Sequence, residues 1–470
     1  MNRRRKKTNN RNSKKAGKTH NTNTIDSTIK EQEVSIDTLS HDGKGVGRTP
    51  ENKVVFVEGA LPNERVKYAP LESKKNFSTG VVTAVIEASS MRVEPKCKIF
   101  GKCGGCALQH LDPQEQILHK QQQLLDNLSK IGNVTVSPEQ VLEPMTSDPW
   151  NYRRRARFGT TYAHTKKELR LGFRAKNSHY IQPTVSCDIL KQQAADLLPA
   201  LKTSLSQLSV VENISAVEVC DADNTMAVII QYKGMLSSND EKHLVEFAKQ
   251  NNVQLLVDDK ADSHGGLKLM HPQQATPLFY QHSAFDIKIE FGPRDFIQVN
   301  GEVNERLVAQ AVELLDIQET DKVLDLFCGL GNFTLPIARK AQHVAGVEGD
   351  DALIHRANHN TKLNQLHNVT FYYGDLFDQN MNKETHGAWL NQSFDKILLD
   401  PPRAGAAEIV RNIDRFNASK FVYISCDPAT LSRDTNILVN EKGYVLKSAG
   451  VIDMFPQTGH VESIAVFEKN

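Results

Sequence analysis

A chain of 470 residues exceeds what one hydrophobic core organises, so roughly two to four domains are expected. Hydrophobic residues make up 39% and charged residues 24%, a soluble globular balance, and no apolar run approaches the roughly 20 residues that span a bilayer. The basic start lacks an apolar segment behind it, so no secretory signal is expected and the cytoplasm is the expected location.

The net charge of +1 hides an uneven distribution: Met1–Thr24 carries nine Lys/Arg and no acid. Without a periodic apolar pattern, residues 1–30 are expected to form a disordered basic tail that can neutralise phosphates; a plain solubilising tail is the alternative. Residues 31–90 alternate in short apolar runs broken by glycine turns, among them Gly43, Gly45 and Gly47. This pattern predicts a small antiparallel barrel, which resembles the TRAM domain, an OB-like RNA-binding barrel.

Residues 91–295 are expected to form a central α+β domain. A helix is predicted from Pro113, ending at Gly132. Arg153, Arg155 and Arg157 then share one side of a strand by period two, as a phosphate-facing stripe would, or equally an ordinary solvated face.

Residues 296–470 switch to strand, helix, strand. "KVLDLFC", "HVAGVEG", "VTFYYGD", "KILLDPP" and "FVYISC" are short β-rich runs separated by helix-length segments. They predict a mostly parallel, doubly covered, Rossmann-like sheet, closed by an antiparallel hairpin at the C-terminal end.

In such sheets ligands bind beyond the carboxyl ends of the strands. The first strand runs into a turn with Gly329 and Gly331, where the backbone can approach a ligand closely. No third glycine follows at dinucleotide-binding spacing. Glu348 ends the next strand, placed to accept ribose hydroxyls, and Asp375 ends the third, within reach of an adenine edge. An adenosine without pyrophosphate, as in S-adenosylmethionine, suits this set. Asp400-Pro401-Pro402 ends the fourth strand and points to methyl transfer without fixing the acceptor atom, since amino-directed methyltransferases share it. Cys426 follows the fifth strand. Uracil C5 becomes nucleophilic only after a thiolate adds to C6, and a base must then remove the C5 proton. Glu462 is the candidate base.

"FIQVN", "DLFCGLGNFTLP", "LLDPPRAG", "YISCDPATLSRD" and "DMFPQTGHVE" together resemble the RNA uracil-C5 methyltransferases, across essentially all of residues 296–470. The resemblance implies that Cys426 is the nucleophile and Glu462 the base. It implies that Gln298, Phe327, Asn332, Glu348, Asp375 and Asp400 contact S-adenosylmethionine, with Asp400 at the reaction centre.

Cys97, Cys103 and Cys106 are spaced C-x5-C-x2-C, and Cys187 is the best fourth ligand among the seven cysteines. Four thiolates suit structural zinc or a [4Fe–4S] cluster; the family resemblance implies the cluster. Radical chemistry is disfavoured, because the first gap is five and a fourth thiolate would close the last iron. Cys220 and Cys328 remain as structural thiols. Within the family, barrel, cluster domain and methyltransferase domain in this order imply action on 23S ribosomal RNA at uracil 1939, by a monomer without a membrane partner. Methylation of another ribosomal or transfer RNA uridine, or RNA binding without catalysis, are the alternatives.

Overall fold

Five strands close the N-terminal barrel: β1 (Gln32–Leu39), β2 (Gly45–Arg48), β3 (Val54–Glu58), β4 (Arg65–Ser73) and β5 (Phe77–Glu87). They follow the order β1-β2-β3-β5-β4, with β3 and β5 parallel and the other pairs antiparallel. Alternate residues Val34, Ile36, Val55, Val57, Val66 and Tyr68 fill the interior, as the period of two requires. A Cβ on Gly47 would lie 2.2 Å from the Ser35 carbonyl oxygen, so only glycine allows β1 and β2 to approach this closely. The computed structural model describes residues 30–261, 266–379 and 387–469, and the expected basic tail lies almost wholly outside them.

Next in the chain, α1 (Pro113–Lys130) begins under an Asp112 cap that accepts the Gln114 N–H, with Pro113 in its first turn. Although it precedes the central sheet in sequence, α1 packs on the helix Pro428–Asn440 and on the C-terminal hairpin. Ile117, Leu124 and Leu128 thereby join the core of the C-terminal domain.

The central sheet has seven strands: β6 (Arg155–Ala163), β7 (Glu168–Arg174), β8 (Ile181–Pro183), β9 (Ile214–Asp221), β10 (Met226–Tyr232), β11 (Val253–Asp259) and β12 (Lys268–His271). Their order is β12-β11-β10-β9-β6-β7-β8. Helices α2 (Gln192–Ser206) and α3 (Ser238–Gln250) cover it through Leu198, Leu201, Leu244 and Phe247. A two-stranded hairpin, β13 (Leu278–His282) and β14 (Ile287–Phe291), leads to the C-terminal domain.

The C-terminal domain is a second seven-stranded sheet: β15 (Lys322–Leu326), β16 (His343–Glu348), β17 (Val369–Tyr373), β18 (Lys396–Leu399), β19 (Lys420–Ser425), β20 (Tyr444–Ile452) and β21 (Glu462–Lys469). Its order is β17-β16-β15-β18-β19-β21-β20. The first five strands are parallel and β21 runs antiparallel between β19 and β20, the expected closing hairpin. Strands such as Lys396–Leu399 are buried throughout because helices cover both faces; α4 (Gly301–Leu315), α5 (Thr334–Ala338) and α6 (Asp351–Leu363) are among them. Among the described residues no helix is long and apolar enough to cross a membrane.

Candidate active site

The turn after β15 is shaped by three alternate residues in the left-handed region. Phe327, Gly329 and Gly331 have φ of 65°, 53° and 91°. The left-handed region costs non-glycine residues roughly 1 kcal/mol or more, and Phe327 is held there by its N–H bond to the Val347 carbonyl. A Cβ on Gly329 would meet nothing within 4 Å, because that side faces open space. Glu348, closing β16, accepts the N–H groups of Gly329 and Gly349 at 3.0 and 2.8 Å. The acid on the second strand thus braces the turn after the first.

This turn borders a cavity of about 800 Å³ lined by Gln298, Phe327, Asn332, Glu348, Asp375, Asp400, Cys426 and Glu462, among others. All eight residues expected to touch methyl donor or acceptor therefore face one space. Asn332 is held from behind: its Oδ1 accepts from the Tyr280 hydroxyl, His282 Nε2 and Asn304 Nδ2, each at 3.0 Å. The β13–β14 hairpin, given no role at the sequence level, thus fixes the far wall.

At the other end, β18 delivers Asp400 and β19 delivers Cys426. Ser425 and Ser463 are the last register partners of β19 and β21, so Cys426 and Glu462 stand one step further, opposite each other. Asp427 caps the following helix by accepting from Ala429 and Thr430, fixing the backbone just after Cys426. Asp434, fully buried, accepts from the Tyr423 hydroxyl and from Ala406 N–H, tying the turn after Asp400 to β19.

The charges are unequal. Burial pushes the Asp400 carboxyl up to about 7. Burial and then the Asp400 charge drive Glu462 well above the usual carboxylate range, against an opposing pull from Arg403. Burial, followed by the Glu462 and Asp400 charges, raises the Cys426 thiol to about 11, and Arg403 again opposes. Arg403 is the one permanent cation among the residues lining this cavity. Its Nη2 donates to His460 Nδ1 at 2.9 Å; burial lowers the His460 pKa, keeping the ring neutral and able to accept. Sequence reasoning gave Arg403 and His460 no role. The adjacency of Arg403 to the acid-Pro-Pro turn was the signal for it.

A second cavity, of about 1000 Å³, lies on the other side of Cys426. Cys97, Cys103, Cys106 and Cys187 line it together with Arg153, Arg403, Cys426, Phe455 and His460. None of the four expected ligand cysteines is in a disulfide. Burial pushes Cys106 up to about 12 and Cys187 up to about 11, with the neighbouring thiols adding to the rise. Four thiols bordering one space fit the donor set of a metal-sulfur cluster, whose positive metal centres would stabilise thiolates that burial disfavours. Among the described residues no group of three or more Cys, His, Asp or Glu is arranged to hold a metal ion. Cys220 and Cys328 are buried in the core.

The expected arginine stripe is largely engaged within the protein. Arg155 donates to the carbonyls of Asp295 and Pro293, and Arg157 pairs with Glu218 at 2.6 Å and with Gln231. Arg153 and Arg157 both line the cavity beside the cysteines. Glu218, on the neighbouring strand β9, collects Arg155 and Arg157, a pairing that period-two spacing within one strand cannot reveal.

The family model described as tRNA (Uracil-5-)-methyltransferase matches residues 114–470, and the TRAM domain model matches residues 28–83. Proteins named 23S rRNA (uracil(1939)-C(5))-methyltransferase RlmD are 42% identical in Legionella pneumophila (strain Lens) and 41% identical in Xanthomonas campestris pv. campestris (strain 8004); each alignment covers 93% of this chain and 97% of the relative. The crystal structure of a Pyrococcus abyssi tRNA (uracil-54, C5)-methyltransferase with S-adenosyl-L-homocysteine superposes with a TM-score of 0.70 over 93% of this chain and 99% of that one, at 22% identity, and so shares the fold. With a glycine turn, strand-end acids and an opposed cysteine and glutamate on one sheet edge, the chain belongs to the tRNA (uracil-5-)-methyltransferase family, with an N-terminal TRAM domain.

Proposed function

We propose that this protein transfers a methyl group from S-adenosylmethionine to C5 of a uracil in 23S ribosomal RNA, at the position its relatives' names give as uracil 1939. The observation that carries the reading is the register of β19 and β21, which sets Cys426 against Glu462 beside the cavity that both line together with Asp400, Glu348 and Asp375. Gln298, Phe327, Asn332, Glu348 and Asp375 bind the methyl donor, and Asp400 sits between donor and acceptor. An amino-directed transfer would need neither the thiol nor the second carboxylate.

In the reaction, the Cys426 thiolate adds to C6 of the uracil, and the electron pair of the C5–C6 double bond moves into an enolate. C5 then attacks the methyl carbon of the sulfonium, forming the C5–CH3 bond as the S–CH3 bond breaks and leaving neutral S-adenosylhomocysteine. The Glu462 carboxylate takes the proton from C5. The C5–H bonding pair becomes the C5–C6 double bond, and the C6–Sγ bond breaks with its electron pair returning to sulfur as the thiolate. A stacked uracil exposes neither C5 nor C6 to such a site, so the target base is flipped out. The TRAM barrel and the cationic groups around the cysteine cavity hold the surrounding RNA by shape and phosphate contacts. Cys97, Cys103, Cys106 and Cys187 would hold a [4Fe–4S] cluster, which would tie together the RNA-facing wall of that cavity. The enzyme works as a cytoplasmic monomer.

Release of tritium from C5-labelled uracil in 23S RNA fragments, in the presence of S-adenosylmethionine, tests the reading. Donor-dependent release from the fragment bearing uracil 1939 is expected. Methyl incorporation without tritium release would refute C5 chemistry, and release only from other fragments would refute the target.

A further inference from the structure

Between β20 and β21 lies the segment Asp453–Val461, which makes no sheet ladder and delivers Glu462 to the cavity. Its backbone acceptors are satisfied largely from outside the methyltransferase sheet. The buried Lys120 of α1 donates to Asp453 Oδ1 at 2.7 Å and to the Phe455 carbonyl at 3.1 Å. The Tyr152 hydroxyl donates to the Pro456 carbonyl at 3.0 Å. Ala107 and Leu108, the two residues after Cys106, both donate their N–H groups to the Gln457 carbonyl, at 2.9 and 3.0 Å.

Gln457 is the centre of this arrangement. It is 1% exposed and has φ of 67°, a left-handed conformation that a glutamine adopts only when its surroundings enforce it. Gln116 on α1 supplies that enforcement. Its Nε2 donates to Gln457 Oε1, and its Oε1 accepts the Gln457 N–H, both at 3.0 Å. The same Nε2 reaches the carbonyls of Leu108 and Leu111 at 3.0 and 2.8 Å. One buried amide thus joins the cysteine loop, α1 and the segment five residues ahead of Glu462. Breaking it strands buried polar groups, each costing about 1–3 kcal/mol, at the point where the segment's direction is set.

We infer that Gln116 and Gln457 are positioning residues for the proton-accepting carboxylate: their amide pair ties the Glu462 segment to the loop that carries Cys106, and thereby sets the proton-removal step apart from methyl-donor binding. This rests on the reading of Glu462 as the base. Among the described residues, neither Gln116 nor Gln457 donates a hydrogen bond to the donor turn at β15 and β16, so donor affinity is expected to stay unchanged when the pair is broken.

The test uses the full chain with a 23S RNA fragment and S-adenosylmethionine, scoring turnover, a denaturation-resistant protein–RNA band, and S-adenosylhomocysteine affinity. Gln116→Leu removes the pair at constant shape. Gln457→Gly keeps the left-handed backbone and its carbonyl while removing the side chain and with it the amide, and it decides the matter if Gln116→Leu does not fold. For either variant the expected result is turnover slowed by about tenfold or more, accumulation of the covalent band as in Glu462→Gln, and unchanged S-adenosylhomocysteine affinity. Unchanged turnover, or slowed turnover without the band, overturns the inference. If Glu462→Gln itself gives no band and keeps turning over, the underlying reading of Glu462 fails. If Glu462→Gln gives the band and the glutamine variants do not, only the positioning inference fails.

Discussion

Cys426 and Glu462 leave the paired region of β19 and β21 at the same step, one beyond Ser425 and Ser463, whose Oγ donates across the seam to the Ser425 carbonyl at 3.1 Å. The antiparallel register therefore fixes the spacing of Cys426 and Glu462, the proposed nucleophile and base, through backbone hydrogen bonds, without a flexible loop between them. The Glu462 charge is the second cause, after burial, of the rise in the Cys426 pKa. Burial thus favours the protonated form of both groups, and the thiolate and carboxylate that the proposed reaction uses form against that preference.

Cys426→Ala is expected to abolish methyl transfer while S-adenosylhomocysteine affinity stays within about twofold, because the donor site is built on other strands. Calorimetric titration beside a methyl-transfer assay checks both. Loss of binding together with activity would place Cys426 in the donor site.

With the thiol raised to about 11, the thiolate fraction increases about tenfold per pH unit across the neutral range. The single-turnover rate of methyl transfer is expected to climb with pH from about 7 to 9. Arg403 lowers both the thiol and the Glu462 pKa, so Arg403→Gln is expected to slow the reaction by the same factor at every pH from about 7 to 9, where the thiol is mostly protonated in both proteins. Alkylation of Cys426 by iodoacetamide in the RNA-free protein, read by peptide mapping, reports the thiolate fraction, and an unchanged alkylation profile in Arg403→Gln would show that Arg403 acts on RNA contact instead.

Asp325 is fully buried beneath the donor turn, where Thr334 Oγ1 donates to one of its oxygens and the other has no partner. Burial pushes its pKa up to about 8, against about 3.9 unfolded. The folded state therefore keeps a proton that the unfolded state has lost. The stability this group contributes is complete below about pH 4, declines as pH rises, and is gone above about pH 8, at a limiting slope of about 1.4 kcal/mol per pH unit. The melting temperature of Asp325→Asn relative to the native chain should rise steadily between pH 5 and 8 and level off above that. A constant difference would mean that Asp325 is ionised in the fold.

Gly331→Ala is expected to destabilise more than Gly329→Ala. A Cβ at Gly331 meets Leu335 Cγ at 3.0 Å with φ of 91°, whereas at Gly329 the space is open and φ is 53°, within the left-handed region that alanine reaches for about 1–2 kcal/mol. Thermal melts with and without S-adenosylhomocysteine check the order, and equal losses would contradict it.

The strand-end chemistry was legible because β/α alternation and residue type report locally: Asp400 and Cys426 directly follow buried runs at Leu399 and Ser425. The α1 helix was legible from its periodicity and caps, ending at Lys130. What α1 touches was not. The Lys120–Asp453 and Gln116–Gln457 contacts join residues more than 300 positions apart, and neither spacing nor composition specifies such partners. For the same reason Arg155 and Arg157 read as a free stripe until Glu218 on another strand took their charge. Gln457 reads as a loop glutamine because a left-handed φ leaves no mark in a non-glycine residue.

The most direct measurement uses a 23S RNA fragment with 5-fluorouracil at position 1939. Fluorine cannot leave C5 as a proton does, so addition and methyl transfer should stop at a covalent complex. Peptide mapping is expected to place the RNA on Cys426, only with S-adenosylmethionine present, and Cys426→Ala should form none. A complex on another residue, or none while native RNA is still methylated, would contradict nucleophilic catalysis by Cys426.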